Sequence, residues 1–362
     1  MQKSFDTILQ QNSFTKVDLV RMLLAKGEEQ DRLFAQAAKI RSQYVGNKVY
    51  LRGLIELSNH CRKNCLYCGI RRGNKQTDRY MLPDEAVLQA CEFAYKNNFG
   101  SIVLQGGELT SKQYVSRIEN LLMQIKKLSN NELGITLSLG EQSEETYRHW
   151  FEAGAHRYLL RIESSNCELY EKIHPRNIIH DYNRRVACLK LLQKTGYQVG
   201  TGVMIGLPFQ MPNDLAQDLL FIQSMDIDMV GMGPYIEHKN TPLYQYKDLL
   251  LPIEERYWLS LRMVAVLRIL TKDINIAAVT ALQAIHPEGR NMAIQVGANV
   301  IMPNITPGDF RNIYKLYENK PTISQDDEDN IRVLVEQIKS TGNETVFGKW
   351  GDSLHFSNKH TI

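Results

Sequence analysis

The sequence lacks the features that would indicate a membrane protein, a secreted disulfide-rich protein or a nucleic-acid-binding protein. No stretch approaches the roughly 20 consecutive apolar residues that span a bilayer, and residues 1–14 have no apolar core of the kind found in secretion signals. The 43 basic and 40 acidic side chains are interspersed, with a formal net charge of +3, so no basic block indicates nucleic acid. We therefore predict a soluble, cytoplasmic protein that binds neither a membrane nor nucleic acid and takes a small-molecule substrate.

Cysteine is scarce and unevenly distributed. The 362 residues include six cysteines, too few for a disulfide framework in a chain of this length. Three of them, Cys61, Cys65 and Cys68, fall within the segment NHCRKNCLYCGIRR at the spacing C-x3-C-x2-C. Such clustering indicates a metal centre. Cys91 and Cys188 lie on amphipathic helical patterns and are expected to be buried as small apolar side chains.

Short apolar runs alternate with amphipathic helical patterns from Val49 onward. Eight runs have the length and composition typical of buried strands: residues 49–56, 101–105, 134–139, 157–162, 199–205, 229–233, 274–279 and 300–303. Eight strands alternating with helices predict an α/β fold, a (β/α)8 barrel of the TIM type. A doubly wound open sheet would give a similar alternation and is the structural alternative.

The barrel pattern does not cover the two ends of the chain. Residues 1–45 contain helical patterns and are interpreted as an N-terminal helical extension, and residues 46–317 as the barrel. Residues 318–362 are more polar, with one helical pattern, and are interpreted as a C-terminal helical segment packed on the barrel. No Gly/Ser-rich linker marks a separate second domain.

The clustered cysteines follow the first strand, so a barrel would place them on a loop at its C-terminal mouth, where such folds carry their active sites. A structural zinc ion usually takes four ligands, often as two separated pairs, and no second C-x2-C pair is present. A [4Fe-4S] cluster is held by one thiolate per iron. Three thiolates leave one iron open, so we interpret Cys61, Cys65 and Cys68 as metal ligands and catalytic residues of an open-site cluster.

This motif, with Tyr67 before the last cysteine, resembles that of the radical S-adenosylmethionine (radical SAM) enzymes. The resemblance implies that the amino and carboxylate groups of SAM chelate the open iron. It also implies that an external electron donor reduces the cluster and that SAM is cleaved to a 5′-deoxyadenosyl radical. The difficult chemistry then belongs to the cofactor, which the protein positions and shields.

The resemblance extends to other residues expected to contact SAM. The turn QGGE at residues 105–108 is similar to the family motif that holds the SAM amino group. In RYLLRIE, period-two alternation places Arg161 and Glu163 on the inner face of the fourth strand. There Glu163 suits a ribose and Arg161 an anion, with a structural Arg–Glu pair as the alternative. Arg185 matches the family's arginine for the SAM carboxylate better than Arg184 does. The predicted cofactor-binding residues are Tyr67, Gln105, Gly106, Gly107, Glu108, Ser138, Glu163, Arg185 and Met204.

Longer segments, including ITLSLGE, MIGLP and ANVIMPN, resemble one branch of the family, the maturases of [FeFe]-hydrogenase. That resemblance implies a cysteine-ligated iron carbonyl/cyanide precursor as substrate and sister maturases as partners. It also implies a cavity lined by Thr136, Arg161, Thr280, Tyr314 and Tyr317.

Two positions depart from this branch. No cysteine follows Cys188, so a second C-terminal cluster is not expected, and Val279 replaces a family threonine. The alternatives are a radical SAM carbon-chemistry enzyme, such as a methylornithine synthase or a biotin-synthase-like protein, and a non-catalytic cluster carrier.

Overall fold

The computed structural model describes residues 3–318 and 327–360. Its strands are β1 (Lys48–Ser58), β2 (Ser101–Gly106), β3 (Gly134–Ser138), β4 (Arg157–Leu159), β5 (Gln198–Thr201), β6 (Met204–Ile205), β7 (Met229–Val230), β8 (Gly233–Pro234), β9 (Asn275–Ile276), β10 (Val300–Ile301) and β11 (Glu344–Val346). Its α-helices are α1 (Phe5–Leu9), α2 (Lys16–Leu23), α3 (Glu28–Tyr44), α4 (Asp84–Lys96), α5 (Lys112–Leu128), α6 (Glu144–Glu152), α7 (Cys167–Ile173), α8 (Tyr182–Thr195), α9 (Pro212–Ser224), α10 (Ile253–Thr271), α11 (Thr280–Ile285), α12 (Gly289–Gln295), α13 (Gly308–Arg311), α14 (Asp327–Ser340) and α15 (Leu354–His360). Two 3-10 helices, Ile178–His180 and Pro242–Leu249, lie in loops.

Eight parallel strands form a ring in the order β10-β1-β2-β3-β4-β5-β7-β9. The two ends of this series meet through a parallel bridge between Ala277 and Val300, and the Asn299 N–H donates to the Ile276 carbonyl at 2.9 Å. An open sheet would leave its two edge strands apart. The (β/α)8 prediction is therefore confirmed, with one ring strand from each of the eight predicted runs, and the doubly wound alternative is wrong.

Several ring strands are shorter than predicted, and β7, β9 and β10 span two residues each. Beyond the C-terminal end of β5, the chain leaves the ring and forms β6. This strand pairs in parallel with β8, with Met204 opposite Gly233 and Ile205 opposite Pro234. The β6–β8 pair extends the wall at the C-terminal end of the barrel, which we call the mouth.

The N-terminal helices pack against the outside of the barrel. Helices α2 and α3 both contact α10, and α2 also contacts α9. Helix α10 is buried along most of its 19 residues because it lies between α3 and the strands, which explains why its sequence has no polar face. The domain boundaries proposed at residues 45 and 317 stay predictions. No helix in the described ranges is long and apolar enough to cross a membrane.

The C-terminal segment closes the opposite end of the barrel, which we call the base. Strand β11 pairs in parallel with the start of β1. The chain then crosses the base, where Arg52 Nη2 and Asn275 Nδ2 both donate to the Gly351 carbonyl at 2.9 Å. Arg157 Nη1 donates to Asp352 Oδ1 at 2.6 Å. Because these contacts cover the base, a ligand reaches the interior from the mouth.

Candidate active site

The loop after β1 carries the three clustered cysteines, all of them half-buried. The Cys68 N–H donates to the Cys65 carbonyl at 3.4 Å, and the Cys61 sulfur accepts a hydrogen bond from the Glu108 N–H at 3.3 Å. A Cβ atom on Gly107 would lie 2.8 Å from the Cys61 Cβ, so glycine permits the turn after β2 to approach the loop this closely. The barrel thus brings the cysteine loop and the turn after β2 together at the mouth.

The environment of the thiols fits a polynuclear iron centre. Burial raises the pKa of all three thiols, to about 12 for Cys65, and neighbouring thiols raise the pKa values of Cys65 and Cys68 further. Thiolates at such positions need positive charge beside them, which bound iron provides. In the described ranges, no three His, Cys, Asp or Glu side chains are placed to hold a single metal ion. A four-iron cluster instead takes its three thiolates at three separate irons.

A buried lysine lies inside the cysteine motif, and our sequence analysis did not single it out. Lys63 is 3% exposed, and its Nζ lies 3.0 Å from Glu141 Oε2 and 3.6 Å from Glu108 Oε1. The same ammonium donates to the Ile179 carbonyl. Lys63 therefore joins the cysteine loop to the ends of β2 and β3 and to the loop before α8. The position of a lysine between two metal ligands is the one sequence signal for this role.

Both oxygens of the Glu108 carboxylate accept hydrogen bonds from other residues of the protein. Its Oε1 accepts a hydrogen bond from Arg62 Nε at 2.8 Å, and its Oε2 accepts one from the Glu141 N–H at 2.8 Å. The preceding turn follows β1 closely, because the Gly107 N–H donates to the Ser58 carbonyl at 2.9 Å. The carboxylate therefore holds the turn in place.

Glu141 is a second residue that the sequence analysis missed, and it anchors Arg185. The Glu141 carboxylate is fully buried and accepts a 2.6 Å hydrogen bond from Arg185 Nε, while Arg184 Nε lies 3.2 Å away. Burial opposes its ionisation, but Arg185 and Lys63 hold the pKa of Glu141 below its usual value. A charged Glu141 thus fixes Arg185, which also donates to the Arg161 carbonyl at 2.5 Å.

Arg161 and Glu163 form a bidentate ion pair. This is the structural Arg–Glu pair that the sequence offered as the alternative to ligand binding. Arg161 Nε and Nη2 donate to the two Glu163 carboxylate oxygens, each at 2.8 Å. The guanidinium also donates to the Gly231 carbonyl and, at 2.9 Å, to the Val203 carbonyl. Glu163 has a φ of 65°, a left-handed conformation that is uncommon outside glycine. The backbone after β4 is therefore bent so that this carboxylate lies at the mouth.

The bend at Glu163 is held by a buried carboxyl on α9. Asp218 Oδ1 accepts hydrogen bonds from the Ser165 N–H at 2.6 Å and from the Ser165 hydroxyl at 2.7 Å. Burial raises the pKa of Asp218 to about 7. On the other side, the Met204 N–H donates to the Glu163 carbonyl at 3.1 Å. These contacts, like the Lys63 and Glu141 contacts, join parts of the chain that are far apart in the sequence.

The remaining predicted cofactor residues lie around the same opening. The Tyr67 hydroxyl lies 3.3 Å from His174 Nε2, and their rings meet edge-on with centroids 5.4 Å apart. Ser138 is the last residue of β3, and Met204 begins β6; both are half-buried. Gln105, on β2, donates to the Tyr314 hydroxyl at 3.4 Å. His174 was not singled out in the sequence analysis.

The residues predicted to line a substrate cavity are spread over different depths of the barrel. Thr136 is fully buried and accepts a hydrogen bond from Arg157 Nε at 3.0 Å, so it contacts the arginine at the base. Thr280 is the first residue of α11 and is half-buried. Tyr314 is buried, Tyr317 is half-buried, and burial raises the pKa of each hydroxyl.

A family model described as "Radical SAM superfamily" matches residues 55–222. The chain is 43% identical over 313 residues to the [FeFe] hydrogenase maturase subunit HydE of Thermotoga maritima, and the match covers 86% of each sequence. The fold is similar to that of methylornithine synthase (PylB), with a TM-score of 0.80 and 24% identity over 95% of this chain and 97% of that one. The maturase HydG of Carboxydothermus hydrogenoformans gives a TM-score of 0.79 and 19% identity, covering 95% of this chain and 79% of that one.

Proposed function

This chain belongs to the radical SAM superfamily, and we propose that within it the protein acts as a HydE-type maturase of [FeFe]-hydrogenase. It is a radical SAM enzyme, with a [4Fe-4S] cluster and S-adenosyl-L-methionine as cofactors. The observation that carries the maturase assignment is the 43% identity to HydE, which extends over 86% of the chain. The likeness to methylornithine synthase, at 24% identity, concerns the fold alone.

Cys61, Cys65 and Cys68 would hold the cluster through their thiolates. When bound, the cluster and SAM supply a one-electron reductive cleavage that generates a 5′-deoxyadenosyl radical. The charges of the surrounding side chains support this assignment, because four cations around the loop face two buried carboxylates: Arg62, Lys63, Arg184 and Arg185 face Glu108 and Glu141. The positive excess suits a thiolate-ligated cluster and a carboxylate ligand, both of which are anionic.

We propose that the SAM methionine part lies between Arg185 and the turn at residues 105–108. Arg185 donates from Nε to Glu141 and from Nη1 to the Arg161 carbonyl, so its Nη2 would be the nitrogen that donates to the SAM carboxylate. Since the Glu108 carboxylate binds Arg62 and the Glu141 N–H, the SAM ammonium would meet the backbone of Gln105, Gly106 and Gly107 instead. This assignment changes the expected role of Glu108 from a direct contact to a support for the turn.

The nucleoside part of SAM would then extend toward β4 and β6. A carboxylate has about four lone-pair positions, so Glu163 can accept ribose hydroxyl hydrogens while its pair with Arg161 persists. Tyr67, Ser138 and Met204 surround the same opening and would contact the remainder of the cofactor. The left-handed backbone at Glu163 supports this role, because such conformations concentrate at ligand sites.

For the substrate, we propose a cysteine-ligated iron carbonyl/cyanide species that enters the barrel from the mouth. Arg161, Thr280, Tyr314 and Tyr317 would contact it. Thr136 would contact it only if it reaches the depth of Arg157. Such a species carries negative charge on its cyanides, which suits an interior with buried arginines. Sister maturases are the proposed partners, and the electron comes from an external donor.

The test has two steps. Anaerobically reconstituted protein, incubated with SAM and dithionite, is expected to release 5′-deoxyadenosine, whereas a non-catalytic cluster carrier releases none. The gene is then expressed in a host that lacks its own HydE but has the other maturases, and active [FeFe]-hydrogenase is the expected product. Cleavage of SAM without hydrogenase rescue, together with release of 3-methylornithine or biotin, would overturn the maturase assignment.

A further inference from the structure

Two buried histidines lie in the connection between α7 and α8, which packs against the cysteine loop. His174 is 2% exposed and His180 is 4% exposed. Neither residue was singled out from the sequence. A buried imidazole needs a hydrogen-bond partner for each of its two ring nitrogens, so the contacts of each nitrogen indicate what these rings do.

Each imidazole binds the chain around it through Nδ1. His174 Nδ1 donates to the Tyr170 carbonyl at 2.8 Å, and His180 Nδ1 donates to Asn177 Oδ1 at 2.7 Å. Because these oxygens only accept, the ring proton lies on Nδ1 in both residues. Burial lowers the pKa of both imidazoles, to about 4 for His180. Both rings are therefore neutral, and each Nε2 is a hydrogen-bond acceptor.

The two Nε2 atoms accept from donors on either side of Cys65. His180 Nε2 accepts from the Asn64 N–H at 2.8 Å. The Tyr67 hydroxyl lies 3.3 Å from His174 Nε2, and since that nitrogen is an acceptor, the hydroxyl is the donor. Asn64 directly precedes Cys65, and Tyr67 follows it by two positions. The histidines thus take up two donors that flank one cluster ligand.

These donors lie close to the thiol that the cluster requires. Burial raises the pKa of Cys65 to about 12, and the Tyr67 hydroxyl opposes this rise, which places the hydroxyl within reach of the sulfur. A hydroxyl has one hydrogen, so Tyr67 donates either to His174 or to the sulfur. The Leu66 N–H, also beside Cys65, donates to the Ile173 carbonyl at 3.0 Å. The loop around Cys65 therefore directs its donors toward the α7–α8 connection.

We propose that His174 and His180 are positioning residues that keep the cluster strongly reducing, because they withdraw the Tyr67 hydroxyl and the Asn64 N–H from the Cys65 thiolate. Hydrogen bonds to the sulfurs are among the factors that set the potential of an iron–sulfur cluster. Each donor stabilises the reduced form, which carries one more negative charge, so withdrawing a donor lowers the reduction potential. A low potential suits a cluster that gives its electron to a sulfonium. This inference rests on the proposed function for the presence of the cluster and not for the identity of the substrate.

The test compares asparagine with glutamine at each histidine in the reconstituted holoenzyme. Asparagine places an amide nitrogen near Nδ1 and can keep the inner contact, but it has no acceptor near Nε2. Glutamine places an amide oxygen near Nε2 and can keep the contact to the cysteine loop.

The potential is measured by EPR-monitored redox titration without SAM. His180→Asn is expected to raise the ratio of reduced to oxidised cluster about tenfold at a fixed potential, the effect of about one hydrogen bond, which is about 59 mV for one electron. His174→Asn should shift the ratio in the same direction. His180→Gln and His174→Gln should stay within about twofold of wild type.

His156→Gln is the matched control at the base. It removes another imidazole nitrogen that accepts from a backbone N–H, because His156 Nδ1 binds the Ile135 N–H at 3.3 Å. Its ratio of reduced to oxidised cluster should change by less than about twofold. Iron content per chain, measured on each preparation, is expected to stay at the wild-type level.

A wild-type potential in His180→Asn would overturn the proposal and leave the proposed function intact. Equal shifts in His180→Asn and His180→Gln, or loss of the cluster from both, would do the same, since the ring would then act in folding. Wild-type protein that cleaves no SAM after reduction with dithionite would instead overturn the proposed function.

Discussion

The two ends of the barrel both contain buried arginines, but these arginines are neutralised in different ways. At the base, Arg52 and Arg157 are at most 1% exposed and donate to backbone carbonyls and to one carboxylate of the C-terminal segment. At the mouth, Arg185 and Lys63 share the fully buried carboxylate of Glu141. Cations at both ends also donate to backbone carbonyls. The difference is that the C-terminal segment covers the arginines of the base, whereas the cations at the mouth outnumber their carboxylates beside an open end and still have charge to offer a ligand.

This contrast predicts that substitutions at the mouth alter cofactor binding, whereas substitutions at the base alter stability. The largest effect is expected for the cluster ligands. Cys65→Ala should abolish the EPR signal of the reduced four-iron cluster, because a cluster with two protein thiolates is not retained. Cys167→Ala is the matched control, since that cysteine is exposed and is not one of the three clustered cysteines. A full-intensity signal in Cys65→Ala would contradict the ligand assignment.

Lys63→Met removes the cation that links two buried carboxylates and is expected to have the next largest effect. Removing one partner of a buried ion pair typically costs about 3–5 kcal/mol, and the Arg62 and Arg185 contacts that remain should keep the loss near the lower end. We expect lower iron content per chain and weaker SAM binding in calorimetry. Arg184→Gln removes a contact to the same carboxylate from a side chain that is 43% exposed, and its effect should stay within about 1 kcal/mol.

Glu163→Ala should separate cofactor binding from cluster assembly. Loss of a charged hydrogen-bond acceptor costs about 1.5–3 kcal/mol, which corresponds to roughly 10- to 100-fold weaker binding of SAM. Iron content should remain at the wild-type level, because Glu163 contacts Arg161 rather than the cysteine loop. Isothermal titration and iron analysis of the same preparation measure both quantities. Equal losses of SAM binding and of iron content would indicate that Glu163 acts in folding rather than in cofactor binding.

The smallest expected effect concerns the base and its dependence on pH. Burial and the neighbouring Arg157 lower the pKa of His156 to about 3, so this imidazole is neutral in the folded protein. The unfolded chain takes up a proton at about pH 6.5, and the folded state therefore loses stability as pH falls below that value. Of the stability lost in urea unfolding from pH 7 to pH 5.5, His156 should contribute about 1 kcal/mol, and His174 and His180, whose pKa values burial also lowers, add to the total.

His156→Gln provides the control for this effect, because glutamine does not titrate. The variant should lose less stability than wild type between the two pH values, and its SAM affinity at pH 7 should be unchanged. A change in SAM affinity in His156→Gln would remove the distinction between the two ends of the barrel.

Much of the fold could be predicted because its signals are local. Each ring strand is a short apolar run. The period-two pattern of RYLLRIE predicted Arg161 and Glu163 on one strand face, but β4 ends at Leu159, and the two side chains form their ion pair in the bent segment that follows it. The same pattern could not give the depth of Thr136. Alternation distinguishes inside from outside, but it does not say which end of the barrel a side chain contacts.

The side chains that hold the site in place could not be predicted, and the reason is different. Lys63 and Glu141 are 78 positions apart and look like ordinary solvent-exposed charges in the sequence. The contact of Arg52 with Gly351 spans 299 positions. Nothing in the composition of either segment indicates its partner, because a hydrogen bond to a backbone carbonyl requires no particular residue type in the acceptor.

The sequence by itself determined the barrel class and the kind of metal centre, since strand periodicity and the spacing of three thiols are properties of neighbouring residues. Only the tertiary structure decided that the C-terminal segment closes the base and that a buried lysine joins the cysteine loop to Arg185 through Glu141. Those arrangements depend on which distant groups a closed barrel brings within a few ångströms, where the cost of burying a charge requires a partner.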